Sequence, residues 1–190
     1  MIGIMGKSGG GKSTLIKIIS GLLSPIEGCI KYNSKYISDY SEINSCVSYV
    51  TQEPHFFTES IINNINSYDD RTKIFAKEIG IDDIIESLPD KYETELSENS
   101  SNLSGGQKQT ISILRGLSKK SCIYIFDEST SSLDEDSEIK CLKLLEQISK
   151  TACVLIISHR KKTLDAADVL YELRDNQLFQ INKMDGELHV

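Results

Sequence analysis

Gly6-Lys7-Ser8-Gly9-Gly10-Gly11-Lys12-Ser13 fits the pattern G-x-x-x-x-G-K-[ST]. It follows the apolar run 1–5, which reads as a buried strand. It opens the stretch 13–23, whose apolar spacing is helical and which stops at Gly21 and Pro25. Strand, glycine-rich loop and helix in that order make a phosphate cradle. The glycines let successive backbone N–H groups converge on phosphate oxygens. The helix N-terminus adds its partial positive charge. Lys12 is placed to reach the β- and γ-phosphates and the Ser13 hydroxyl to ligate Mg²⁺. The nucleotide-binding set is Gly6, Lys7, Ser8, Gly9, Gly10, Gly11, Lys12, Ser13 and Thr14.

Further along, Ile123-Tyr124-Ile125-Phe126-Asp127-Glu128 is an apolar strand ending in two acids. Acids at a strand's carboxyl end stand where α/β sheets bind ligands. Asp127 would hold Mg²⁺ through water, and Glu128 would act as general base on the attacking water. A solvated acidic turn after a strand is the plainer reading of these two residues taken alone.

The remaining chain falls into a strand or hairpin at 29–37, with Gly28 and Asn33 as turn residues, and a strand at 47–51. Short helices are expected at 71–80 and 82–88, the second ended by Pro89, and a longer one at 105–117 capped by Ser104. A strand at 122–126, an amphipathic helix at 135–150, and strands at 152–157 and 169–173 complete the order, and the end beyond Leu173 reads as brief. Strand–helix alternation at both ends predicts an α/β fold with a parallel-sheet core and an inserted helical subdomain. The core lobe is expected at 1–57 and 121–190, and the helical subdomain at 58–120.

Composition narrows the function. The chain has 190 residues, enough for one domain with a sub-lobe. Hydrophobic residues make up 39 %, so a core forms without staples. The net charge is −7 with the acids spread along the chain, which excludes a basic nucleic-acid face. A polyanion must then be held by local geometry. No apolar run approaches the ~20 residues needed to cross a bilayer, and the N-terminus, running straight into the glycine-rich loop, reads as lacking a secretory signal. The five cysteines, Cys29, Cys46, Cys122, Cys141 and Cys153, form no C-x-x-C pair and are odd in number. They read as reduced, core-filling thiols of a cytosolic protein.

Leu103-Ser104-Gly105-Gly106-Gln107 narrows the reading to one family. This pentapeptide resembles the signature of ATP-binding cassette proteins, and the resemblance covers nearly the whole chain in the right order. Gln52 stands after a strand as the family's Q-loop glutamine does, Ser131-Ser132-Leu133-Asp134 resembles the D-loop, and His159 follows the strand at 154–157 as the switch histidine does. The resemblance implies a P-loop NTPase (RecA-like) core. It implies Glu128, His159 and Gln52 as catalytic residues, and Ser13, Gln52 and Asp127 as the Mg²⁺ set. It also implies Asp134 in the D-loop, with Leu103 to Gln107 acting on a partner's nucleotide. A glycine-rich helix N-terminus is a second anion site; it cannot reach its own chain's loop, hence a partner cassette, identical or not.

The stretches around Gln52-Glu53-Pro54-His55-Phe56-Phe57, Tyr92 to Asn99 (an X-loop) and Ser158-His159-Arg160 resemble the exporter branch. On that resemblance the chain binds and hydrolyses MgATP in a head-to-tail dimer and drives export through a transmembrane domain. It would lie in the cytoplasm, peripheral at the inner face of the cell membrane. Two features depart from the family. Only residues 1–5 precede the loop, where members carry two more strands and an aromatic that stacks on adenine; the chain therefore reads as N-terminally truncated or with its start placed too late, leaving a sheet edge uncovered. Thr110 stands where an arginine is common, although Arg115 matches a family arginine. The alternative is a nucleotide-binding module with weak or no turnover, regulatory or a non-functional fragment. A chromosome-maintenance or translation-type cassette would carry long coiled coils or a second cassette. His55 and His189 read as ordinary residues.

Overall fold

The computed structural model describes residues 1–32, 34–37, 40–65, 67–96 and 103–181. Asn33, Ser97, Glu98, Asn99 and His189, which the sequence reading singled out, lie outside the described residues. In chain order the elements are β1 (Ile2–Met5), α1 (Lys12–Ile19), β2 (Lys31–Tyr32), β3 (Lys35–Tyr36), α2 (Ser41–Cys46), β4 (Val47–Val50), β5 (Glu59–Ser60), α3 (Ile61–Asn64), α4 (Asp70–Glu78) and α5 (Asp82–Glu86). A 3₁₀ turn (Lys91–Glu93) follows, then β6 (Glu95–Leu96), α6 (Gly105–Ser118), β7 (Ile123–Asp127), α7 (Glu135–Ile148), β8 (Cys153–Ile157), α8 (Lys161–Asp165), β9 (Val169–Arg174) and β10 (Gln177–Ile181).

Six strands form one sheet in the order β10-β9-β1-β8-β7-β4. All neighbours run parallel except β9 and β10. Such a sheet is covered on both faces, which is why β7 and β8 read as continuous apolar runs. Alternate residues serve opposite faces. Tyr124, Phe126, Val154 and Ile156 pack with Ile111 and Leu114 of α6 and with Leu144 and Leu145 of α7. Ile4, Ile125, Leu155 and Ile157 pack on the other side with Ile16 of α1 and Ile43 of α2. Strand β1 is flanked by β8 and β9, and among the described residues the outer strands of this sheet are β4 and β10.

The expected strands and longer helices are present, with ends moved by a few residues. Helix α1 stops at Ile19, and Gly21 takes φ +75° while Leu22 N donates to Lys17 O at 2.8 Å. That left-handed closure suits glycine. Short elements were missed: α2, β5, the 3₁₀ turn, β6, α8 and β10. The chain after Leu173 is not brief, because β9 turns through Asp175 and Asn176, both at positive φ, into the antiparallel β10. A two-residue hairpin turn of this kind favours Asp and Asn, so the dipeptide was the legible signal. The cysteine reading is also corrected. Only Cys141 is buried, whereas Cys29, Cys46, Cys122 and Cys153 are exposed and all five are free. Cys46, Cys122 and Cys153 stand at the amino ends of β4, β7 and β8, where the sheet meets solvent.

Helix α6 lies unusually close to β4. A side-chain methyl at Gly116 would collide with Val50, and Ser48 Oγ donates to Gly116 O at 2.7 Å. The prediction is that Gly116→Ala destabilises the chain by about 1–3 kcal/mol, the usual cost of overpacking, and that adding Val50→Ala recovers part of the loss. Urea unfolding of the two variants measures both.

Candidate functional site

The glycine-rich loop joins β1 to α1. Gly11 is the N-cap of α1 at φ +91°, and no side chain caps that helix, so its first N–H groups face outward. Gly6 is demanded from a distance: a Cβ there would stand 2.5 Å from Leu173 O of β9. The Lys12 ammonium turns back over the loop and donates to Gly6 O at 2.6 Å and Lys7 O at 3.0 Å. Ser13 and Thr14 are exposed in the first turn of α1.

Asp127 ends β7 and is 9 % exposed. Tyr49 of β4 donates its hydroxyl to Asp127 Oδ2 at 2.9 Å. Burial pushes the Asp127 carboxyl above its ordinary range; the Tyr49 donor opposes that, neighbouring Glu128 adds to it, and Lys12 and Lys17 oppose it. The Tyr49 hydroxyl is itself pushed up by burial and by the carboxylate it serves. Sequence reading missed Tyr49, because a tyrosine in a strand reads as core; its alternation position on β4, next to β7, was the only hint.

Glu128 adopts φ +49°, a left-handed conformation rarely taken by a residue with a side chain. Strain of this kind costs on the order of 1–3 kcal/mol and gathers at functional sites. It is held by Glu128 N donating to Ile157 O at 2.9 Å and by Ser131 N donating to Glu128 O at 3.1 Å. The turn brings Glu128 Oε1 to 3.4 Å from His159 Nδ1. A cavity of about 430 Å³ is lined by Gly6, Lys7, Lys12, Glu128 and His159, with Glu172 of β9 on its far wall. Glu172 was missed as well, since one acid in a late strand carries no pattern.

Other expected site residues lie elsewhere. Gln52 is exposed in the loop after β4 and is not among the residues lining this cavity. Its loop is held from α6, where Gln109 Nε2 donates to Thr51 O at 3.3 Å and Arg115 Nη1 to His55 O at 2.6 Å. Leu103, Ser104, Gly105, Gly106 and Gln107 open α6, away from the cavity. Ser104 Oγ accepts from Gln107 N and Gln107 Oε1 from Ser104 N, a reciprocal cap. A Cβ on Gly106 would meet Ser132 O at 3.0 Å, so this helix start rests on the loop 131–134. Thr110 Oγ1 donates back to Gly106 O at 2.9 Å, which satisfies a hydroxyl in a nearly buried position. Asp134 caps α7 by accepting from Ser137 N at 2.9 Å, and that hydrogen bond holds its carboxyl below the ordinary range.

The loop fits a nucleotide triphosphate on observation. Among the described residues, Gly9 takes φ +74° with open space where a Cβ would stand, and Lys12 donates to two backbone carbonyls. Among the described residues no three His, Cys, Asp or Glu side chains are grouped to hold a metal. One hydroxyl and one carboxylate, Ser13 and Asp127, suit magnesium, which keeps waters and phosphate oxygens as its other ligands.

Residues 1–131 match the family model described as ABC transporter. The chain is 35 % identical over 191 residues to "ABC transporter B family member 29, chloroplastic" of Arabidopsis thaliana, spanning 96 % of this chain and 30 % of that one. It is 36 % identical over 188 residues to an "ATP-dependent lipid A-core flippase" of Coxiella burnetii, spanning 95 % of this chain and 32 % of that protein. A solved structure of a bacterial Atm1-family ABC exporter with ATP bound superposes with a TM-score of 0.85 at 30 % identity, covering 94 % of this chain and 33 % of the other. The chain thus spans about a third of the length of these relatives.

The Tyr49–Asp127 contact gives a prediction with a sign. Removing the donor in Tyr49→Phe leaves the carboxylate less favoured, so the Asp127 carboxyl moves further up. Only the ionised form accepts a cation. If Asp127 ligates magnesium, magnesium-dependent nucleotide affinity should therefore be lost at a higher pH in the variant than in the parent as the medium is acidified. Calorimetric titration across the acidic range reads the displacement.

Proposed function

Because this chain belongs to the ABC transporter family, we propose that it is the nucleotide-binding cassette of an exporter, hydrolysing MgATP head-to-tail with a second cassette. The observation that carries the reading is the convergence of Lys12, Glu128 and His159 on one cavity at the carboxyl ends of β1, β7 and β8. The names of the relatives, a lipid A-core flippase and an Atm1-family exporter, support export as the work of the whole assembly. A transmembrane domain is then the partner, with the cassette at the inner face of the cell membrane. No helix among the described residues is long and apolar enough to cross a membrane. The lobes on this reading are 1–57 with 121–190, and 58–120.

The roles follow from chemistry. Residues 6–14 wrap the phosphates with backbone N–H groups, and Lys12 exchanges its two carbonyl partners for phosphate oxygens. Ser13 and Asp127 would hold magnesium, with Gln52 assigned to the same ion, and the bound ion would neutralise phosphate charge. Glu128 takes the proton of the attacking water. His159, whose Nδ1 stands 3.4 Å from Glu128 Oε1, orients that carboxylate and the terminal phosphate. The partner's Leu103 to Gln107 segment supplies a second helix N-terminus to the same phosphate.

Two variants test this. Lys12→Ala should stay folded and bind MgATP more weakly by calorimetry; unchanged affinity would remove the loop from its role. Glu128→Gln keeps shape and hydrogen bonding but cannot accept a proton, so turnover should fall ~10²–10⁴-fold while binding survives. Uncleaved ATP should then hold a lasting dimer, visible by size-exclusion chromatography with light scattering. Parental turnover in Glu128→Gln would overturn its assignment as base, and absence of turnover in the parent would favour a binding module.

A further inference from the structure

Glu138 is an acid inside the protein, on the buried face of α7 and 3 % exposed. Both carboxylate oxygens are taken. Oε2 accepts from Arg160 Nη1 at 2.8 Å, and Oε1 accepts from Thr163 Oγ1 at 2.7 Å. The same Arg160 Nη1 also donates to Thr130 O at 3.1 Å, and the Thr130 and Thr163 hydroxyls stand 3.5 Å apart. Thr130, Glu138, Ser158 and Thr163 are all buried. Arg160 N donates to Ser158 Oγ at 3.0 Å, and Ser158 N reaches Ile4 O.

The chain positions of these residues matter more than the ion pair itself. Thr130 is two residues after Glu128, and Arg160 directly follows His159. The Glu128–His159 approach of 3.4 Å is a contact between two loops. Besides the backbone bond from Glu128 N to Ile157 O, the Arg160 guanidinium touches both: its own backbone belongs to the His159 loop, and its head binds the Glu128 loop and Glu138 of α7. One guanidinium nitrogen, Nη1, meets an acceptor on each of two segments, Thr130 O and Glu138 Oε2.

We infer that Arg160 and Glu138 are positioning residues that hold His159 against Glu128. This rests on the proposed roles of Glu128 and His159. An ion pair that merely stabilised the fold would be replaceable by apolar side chains of similar volume, a change that buried pairs commonly tolerate. The paired variant Glu138→Met with Arg160→Met removes the link and leaves no unpaired buried charge.

The experiment uses the whole chain. The imidazole resonances are recorded by proton–carbon NMR without nucleotide, and the His159 signal is identified by its loss in His159→Ala. In the paired variant, folded as judged by its melting transition, the His159 signal should move to a new position and MgATP affinity should stay within about twofold. Turnover should fall between about tenfold and a hundredfold, the scale of an ångström-sized misplacement. Arg160→Lys, which keeps the charge but shortens the side chain and lacks the guanidinium, should show a smaller change of the same kind and serves as the second variant if the paired one does not fold. A folded variant with a parental His159 signal overturns the inference. The signal is read without turnover, so the two readings fail separately. A parental rate in His159→Ala counts against the proposed catalytic role, and an unmoved signal counts against the positioning.

Discussion

Everything at the site depends on the register of three neighbouring parallel strands. Ile4 of β1 pairs with Ile157 of β8, and Ile157 pairs with Asp127 of β7. The three strands therefore end at one level. The ladder even runs past them, through Ser158 N to Ile4 O and Glu128 N to Ile157 O. The glycine-rich loop, the Glu128 turn and the His159 loop leave the sheet side by side as a result. In a parallel sheet a one-residue slip sends every side chain to the opposite face. The two buried faces, with Phe126 and Ile156 on one and Ile125 and Ile157 on the other, make such a slip costly.

On that frame the electrostatics are local. The chain carries a net charge of −7 and still presents a phosphate cradle. Lys12, the open first turn of α1 and the glycine N–H groups supply positive potential at one spot. Asp127 and Glu128 stand beside it, one anchored by Tyr49 and one held in a strained turn. On the proposed roles the acids answer to a cation and a water, and the loop answers to phosphate, so the two kinds of group would complement one ligand without cancelling each other.

Helix α6 ties several distant segments to this centre. Its start carries the Leu103–Gln107 segment and rests on Ser132 O. Its middle holds the Gln52 loop through Gln109 and Arg115, and Gly116 brings its backbone against β4. Gly6 and Gly106 have the same cause at two places far apart in the chain: a carbonyl from another segment occupies the space a side chain would need.

The sequence alone determined the α/β order, the phosphate loop, the acids ending β7 and the family, because each is written in short contiguous patterns whose chemistry is local. It also carried, unread, the Asp175–Asn176 turn that announces β10. Only the tertiary structure decided the rest. Tyr49 meets Asp127 across a gap of 78 in sequence, Arg160 meets Thr130 across 30, and Glu172 enters the cavity from the penultimate strand. Three of the four exposed cysteines, Cys46, Cys122 and Cys153, stand where strands begin, which an apolar run cannot reveal. Local pattern specifies which element a residue belongs to; strand order and register, set by burial on both faces of the sheet, specify what that residue touches.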